Sequence, residues 1–550
     1  MRTPARLENR DEESLDLNTT QSRWFYLAGI CAVLLVLLIN LVVTERQEPW
    51  EDEIFAVSTG WSLARSQGQT LSVLADYPRT GSPIVFYGPV SFYAEAWLIR
   101  VFGLSLFAWR FVCFLGLVLC VFICAALVKA AGGNRWAQLS TAMFITLAGS
   151  VAGTLPGRWD FITSGLFLSG VLLFVGSIKK TGSTLLWRAA LSGLPIGFAL
   201  ASSPRTLTLS LAAVVAVTFT ALVFKEIRKV LVLGSVVAFS AALLIHSLLL
   251  LPWGLNSISW YAYLRRATKS DYINATPLMG RGLWVLDLQH HKVLALAFPL
   301  LLIVALLGAF KGKRNVDLAR LPLRVFLTVF AATNLIVMLL MLENAFGQTP
   351  FWLPPAMVAT MCWADLQHLP SRGWMRISIV LITMSLLLLS VEEAEQAVVV
   401  ALTWNRRSIT SLTDFVRQNI PSGSSVYGPI GGFFYPVELA GSQYLYSFEH
   451  TTPGLYSGSQ TPIGEKLDQR ICSRPTYAIW VKPNSVLYPP QQIMPDALHQ
   501  RLGEKMAELD QPILAGWKVL LLQRVGPVGR KYGFPDAVIY SLGRQHCGKD

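Results

Sequence analysis

The chain gathers three carboxylates at one point. The stretch "EPWEDEIFAVSTGWSLARSQ", from Glu48, sets Glu51, Asp52 and Glu53 side by side, just after the apolar run "WFYLAGICAVLLVLLINLVV". A carboxylate at the mouth of a membrane segment can deprotonate a hydroxyl presented from water. It can also help bind a divalent cation. The plain alternative is a hydrated loop at a helix start, where acids favour the positive end of the helix dipole. Ionisable groups beside a membrane cavity default to function, so a chemical role is expected here.

Cations recur between later apolar runs. "GRWD", from Gly157, carries Arg158 and Asp160, and "SSPR", from Ser202, carries Arg205. A longer stretch, from Pro252 to Lys292, holds Arg265, Arg266, Lys269, Arg281, His290 and His291. A guanidinium suits phosphate because its planar fork donates two parallel charged hydrogen bonds. The plain readings are an ion pair in a tight turn, a snorkelling arginine, and contacts to anionic lipid headgroups. Two adjacent histidines cannot face one metal from a regular helix, and no thiolate pair has zinc-like spacing. Without a P-loop, GxSxG or HExxH pattern, the ATPase, serine hydrolase and zincin readings lose their usual support.

These residues must be positioned by membrane helices. Of 550 residues, 53% are hydrophobic and only 14% charged, against roughly 25% charged in a soluble domain; the mean hydropathy is +0.47. A span needs about 20 apolar residues. Such runs start near Trp24, Leu106, Trp136, Phe161, Trp187, Leu207, Val230, Val293, Val325, Phe351 and Ile377, which predicts about eleven transmembrane helices. Residues 1–23 form a cytoplasmic tail, and the first run lacks a small-residue cleavage site, as an uncleaved signal anchor would. Much of the net charge of +13 comes from short loops, among them "KEIRK" at Lys225, that fall on the cytoplasmic side in this topology. That follows the positive-inside rule and argues against a nucleic-acid partner. The basic Pro252–Lys292 stretch, on the external side, is the exception and asks for an anionic partner.

The segment "IVFYGPVSFYAEAWLIRVFG", from Ile84, is long enough to cross, but it contains Gly88, Pro89, Glu95 and Arg100. Counting it as a span would invert everything after it, so it reads as a helix lying at the interface, as does Ile54 to Arg65. Residues 45–105 then form a first external loop with two interfacial helices, within a membrane domain of residues 24–397. Residues 398–550, richer in Gly, Pro, Ser, Gln and Tyr, read as an extracytoplasmic α/β domain. It is predicted to start with a helix capped by Ser411 and to hold strands at "TYAIWV" (Thr476) and "WKVLLLQRV" (Trp517). Five cysteines lie in apolar runs; Cys472 and Cys547 lie in this tail, either as one disulfide or as two thiols. No internal repeat is visible.

The order of these parts resembles the C-type fold of membrane glycosyltransferases, and within it the protein O-mannosyltransferase and aminoarabinose transferase group. The resemblance rests on a first external loop opening with "DE", the "YGPVSFY" segment from Tyr87, an Arg-x-Asp at the next external turn, and the trailing α/β domain. It implies an enzyme of the plasma (inner) membrane that moves a sugar from a polyprenyl-phosphate carrier to an acceptor hydroxyl on the extracytoplasmic face, with inversion. It implies Asp52 as general base, with Glu53 or Glu51 orienting it or holding a cation. Arg158 and Asp160 would match the family's phosphate-handling arginine and second acid, and Tyr87 would lie beside the carrier phosphate. Where relatives carry Glu-Lys before Pro-Pro, this chain has "RTGSPIVFYGP", which leaves Arg79 as the substitute and the need for a divalent cation open. Arg205, Arg265 and Arg266 complete the substrate-binding set. Two rival readings stand: a transferase of whole lipid-linked glycans, and a transporter or flippase with an external receptor domain. The transporter predicts acids at mid-membrane depth, and the runs hold few besides Glu392, Glu393 and Glu395.

Overall fold

The computed structural model describes residues 8–46, 49, 51–67, 88–152, 159–178, 182–203, 206–253, 258, 297, 300–305, 320–341, 349–366, 372–402, 404–429, 431–447, 463–481, 494, 496–509 and 537–543. The membrane part contains α1 (Glu8–Glu45), α2 (Glu51–Ala64), α3 (Pro89–Phe102), α4 (Leu106–Ala130), α5 (Arg135–Ala152) and α6 (Asp160–Ile178). It continues with α7 (Gly182–Leu200), α8 (Thr206–Val223), α9 (Arg228–Leu250), α10 (Leu321–Met341), α11 (Thr349–Leu366) and α12 (Arg372–Leu402). Seven helices among the described residues are long and apolar enough to cross a membrane: Arg23–Glu45 of α1, α4, α6, α7, α8, α9 and Arg376–Leu402 of α12. Helices α5, α10 and α11 follow the runs expected at Trp136, Val325 and Phe351. The run at Val293 lies largely outside the described residues, with 300–305 helical.

The bundle core runs through α1, α4, α5, α6, α8, α10, α11 and α12, and includes Phe144, Phe167, Phe330 and Trp352. Small residues let backbones approach closely, as membrane helices require. A Cβ on Gly193 of α7 would lie 2.4 Å from the Ala238 carbonyl oxygen of α9.

Helices α2 and α3 have 14 residues each, or about 21 Å at 1.5 Å per residue. That falls short of the ~30 Å hydrocarbon core, in keeping with an interfacial position. The acid triplet does not precede α2 as a loop: Glu51, Asp52 and Glu53 are its first turn. Carboxylates are favoured there by the unsatisfied N–H groups and the dipole.

Helix α12 runs on to Leu402, past the boundary expected at 397. Beyond it lie α13 (Ile409–Asn419), β1 (Ser425–Gly428), α14 (Phe434–Leu439), β2 (Gln443–Tyr446), α15 (Ile463–Ser473), β3 (Thr476–Val481), α16 (Asp496–His499), β4 (Leu502–Leu509) and β5 (Ala537–Leu542). The sheet order is β2-β1-β3-β5-β4. Strand β1 is parallel to β2 and β3, while β5 is antiparallel to β3 and β4. The parallel pairs require crossovers, which α14 and α15 supply. The cap of α13 is Ser408, not Ser411: the Ser408 hydroxyl accepts from the Thr410 N–H at 3.2 Å. Ser411 lies inside the helix and donates to the Ser408 carbonyl. The strand expected at Trp517 lies outside the described residues. Cys472 is disulfide-bonded, and the other tail cysteine, Cys547, lies outside them.

The sheet domain does not stand apart from the interfacial helices. One apolar cluster joins Ile54, Val57, Phe92, Trp109 and Trp159 to Leu412, Phe434, Tyr435, Tyr444 and Ile479.

Candidate active site

Glu53, on the first turn of α2, meets Arg110, on the second turn of α4. Arg110 Nε and Nη2 donate to Glu53 Oε1 and Oε2, each at 2.9 Å. Its Nη1 donates to the Thr44 carbonyl at the end of α1, at 2.6 Å. The side chains are 2% and 0% exposed. One guanidinium thus fixes the end of α1 and the start of α2 against α4. A buried pair of this kind offsets its desolvation only with excellent geometry and extra hydrogen bonds, and this one has both.

A second acid lies nearby. Glu95 of α3 is 1% exposed, and neither carboxylate oxygen has a hydrogen-bond partner among the described residues. It packs on Gly60 of α2, where a Cβ would lie 2.3 Å from Glu95 Cγ. Burial, and then the Glu53 charge, push the Glu95 carboxyl well above the usual carboxylate range, favouring its neutral form. Cys113, one turn below Arg110, is within electrostatic reach of Glu53, Glu95, Arg110 and Asp160. The structure therefore draws Asp160, the first residue of α6, to the same end of the bundle as Glu53. Trp159 stacks at a tilt on Trp109, with centroids 5.0 Å apart.

The sheet domain reaches this cluster through α14. Tyr435 is fully buried; its hydroxyl has no partner among the described residues, and burial, then the charges of Glu53 and Glu95, raise its pKa. One turn on, Glu438 accepts from Trp61 Nε1 of α2 at 2.9 Å and from the Tyr444 N–H at 2.9 Å. Arg65 lies 3.8 Å away. Burial still raises the Glu438 pKa, against these stabilising contacts.

The "YGP" segment meets the "SSPR" turn. The Gly88 N–H donates to the Ser202 carbonyl at 2.8 Å, and a Cβ on Gly88 would lie 1.8 Å from the Ala201 carbonyl oxygen. Only glycine permits this approach.

Of the residues singled out from sequence, Glu53 and Asp160 come to the same end of the bundle, both within electrostatic reach of Cys113. Asp52 lies on the same helical turn as Glu53, but its side chain, like that of Glu51, is outside the described set. Arg79, Tyr87, Arg158, Arg205, Arg265 and Arg266 also fall outside the described residues. Among the described residues no three His, Cys, Asp or Glu side chains cluster as a metal site. Arg110, Glu95 and Tyr435 were missed. Arg110 carried a readable signal: it is an arginine inside the apolar run "LFAWRFVCFLG", and such residues pair or act.

No protein-family model matches the chain, and no curated protein matches it in sequence. Among solved structures it is similar to ArnT from Cupriavidus metallidurans bound to undecaprenyl phosphate, with TM-score 0.57, 12% identity, and coverage of 96% of this chain and 99% of that one. The apo state of that protein gives TM-score 0.55, at 12% identity and coverage of 96% and 100%. The oligosaccharyltransferase of Archaeoglobus fulgidus, tethered with an acceptor peptide, gives TM-score 0.53 at 11% identity, covering 83% of this chain and 69% of that one. Identities this low speak to architecture alone. On that evidence the chain is a polytopic helical membrane protein with the fold of the C-type membrane glycosyltransferases.

Proposed function

We propose that this protein transfers a sugar from a polyprenyl-phosphate carrier to an acceptor hydroxyl at the membrane surface, with Asp52 as general base. The observation that carries this reading is the buried Glu53–Arg110 pair, which pins the "DE" turn of α2 at one end of the bundle. Glu53 has both oxygens engaged by Arg110, so we assign it to positioning and leave proton transfer to its neighbour. In the proposed step Asp52 takes the acceptor hydroxyl proton, and the oxygen attacks the anomeric carbon from the face opposite the phosphate. The bond from the anomeric carbon to the phosphate oxygen breaks, and the carrier phosphate leaves with the electron pair. The anomeric centre inverts. Developing charge on the phosphate calls for fixed cations, a role proposed for Arg158 and Arg205, with Arg79, Arg265, Arg266 and Tyr87 on the carrier side and Asp160 as the second acid.

The similarity to an oligosaccharyltransferase supports a second reading, transfer of a whole lipid-linked glycan. In both readings the acid cluster and the sheet domain face outward in an inner membrane.

The test is lipid mass spectrometry on cells carrying the wild type, a deletion, or Asp52→Asn. Equal accumulation of a polyprenyl-phosphate monosaccharide in the deletion and in Asp52→Asn is expected. Accumulation of a longer carrier-linked glycan would select the second reading. Accumulation in the deletion alone would remove Asp52 as base. An unchanged carrier pool, with the protein present in the membrane, would count against a lipid-linked donor.

A further inference from the structure

The end of the bundle opposite the acid cluster holds a cavity with no part in the proposed reaction. Helix α8 starts at Thr206, beside the Ser202 turn that receives Gly88, and has 18 residues. At 1.5 Å per residue its far end lies about 27 Å away. From Ser210 toward that far end, α6, α8 and α9, with single residues of α7 and α10, line a groove of about 430 Å³, its walls made mainly by residues such as Phe174, Val217, Val232, Val236 and Phe239, with Arg228 at the far end. Val232, Val236 and Phe239 are exposed, so the groove opens sideways to lipid. From Arg228 to Phe239 it runs about 16 Å along α9, half of a ~30 Å hydrocarbon core and thus the depth of one leaflet.

Its polar features lie where a lipid headgroup and ester region would be. Arg228 Nε donates to the Ala221 carbonyl at the end of α8, at 3.0 Å. This bond holds the guanidinium over the groove mouth, and its two amino groups have no protein partner among the described residues. Lys225 and Lys229 flank it, exposed, and none of the three forms an ion pair with a described acid. Deeper in, Ser235 lines the groove with a buried hydroxyl that has no hydrogen-bond partner among the described residues. A mostly apolar groove, a cationic mouth and a buried hydroxyl without a partner about two turns inside match one lipid whose headgroup carries a phosphate. Basic pockets between membrane helices bind such headgroups, and an arginine fork suits phosphate oxygens.

We propose that this groove is a binding site for one anionic glycerophospholipid of the leaflet opposite the acid cluster, with an acyl chain along α9 and its phosphate on Arg228. The site stands independently of the proposed sugar transfer.

The test is native mass spectrometry of the full-length protein from detergent, titrated with phosphatidylglycerol and phosphatidylcholine of identical chains. The wild type is expected to hold one phosphatidylglycerol at least ten-fold more tightly than phosphatidylcholine. Arg228→Gln with Lys229→Gln should erase that preference, and Val236→Trp, at an exposed position, should lower occupancy by both lipids. Equal binding of the two lipids by the wild type, which is the behaviour of an annular surface, would overturn the proposal. So would an undiminished preference in the charge variant, or unchanged occupancy in Val236→Trp.

Discussion

Arg110 grips Glu53 through two parallel hydrogen bonds of 2.9 Å while its remaining amino group holds the Thr44 carbonyl. The pair sits where α1 ends, α2 begins and α4 starts. Its geometry joins the segment after α1 to the bundle and sets the direction in which the turn bearing Asp52 enters.

Breaking that pair from one side should be costly. Arg110→Ala leaves a buried carboxylate alone, and loss of one partner of a buried pair costs about 3–5 kcal/mol. Arg110→Lys should rescue poorly, because a point charge cannot replace the fork. Thermal unfolding of the purified protein checks both. The double variant Glu53→Gln with Arg110→Met should regain most of the stability yet consume carrier slowly. Normal turnover in that double variant would mean that the pair has no positioning role.

Glu95 gives a pH signature. Its folded pKa lies above its unfolded value, so the native state binds more protons than the unfolded state between the two. Stability then falls as pH rises from the ordinary carboxylate range toward the raised value, by about 1.4 kcal/mol per pH unit for one group. The charged and titratable groups around it are Glu53, Arg110, Cys113 and Tyr435. Glu438, also raised, contributes with the same sign. Glu95→Gln, already neutral, should keep the stability found at low pH and flatten the curve above it. Melting temperature against pH, wild type beside variant, is the measurement, and identical slopes would refute the effect.

Gly88→Ala should loosen the "YGP" segment. A Cβ 1.8 Å from the Ala201 carbonyl oxygen forces backbone apart, and overpacking costs about 1–3 kcal/mol. Hydrogen exchange at 88–92 and at 201–206 should rise together in the variant, since each protects the other.

Glu438→Ala should weaken the seat of the sheet domain on α2. It leaves Trp61 Nε1 and the Tyr444 N–H without their acceptor, at about 1–3 kcal/mol per buried group. Limited proteolysis should release the segment after Leu402 faster than in the wild type. Glu438→Gln keeps an acceptor and should fall between the two.

The sequence by itself determined the membrane helices, because a span must bury its backbone groups in one continuous apolar run, and such runs are local. It also pointed to helices at Ile54 to Arg65 and within the Ile84 segment, and both form, each with 14 residues. The acid triplet was legible as a cluster, and its place on the first helical turn follows from the N–H groups exposed there. The sequence alone did not reveal which acid would lose its water. Glu53 and Arg110 are 57 residues apart, and Glu95 comes to rest on Gly60 of another helix. Tyr435 arrives from beyond the last span to lie buried within reach of the same acids. Only the tertiary structure decided those meetings, because long-range packing, not local propensity, sets which polar groups lose water together.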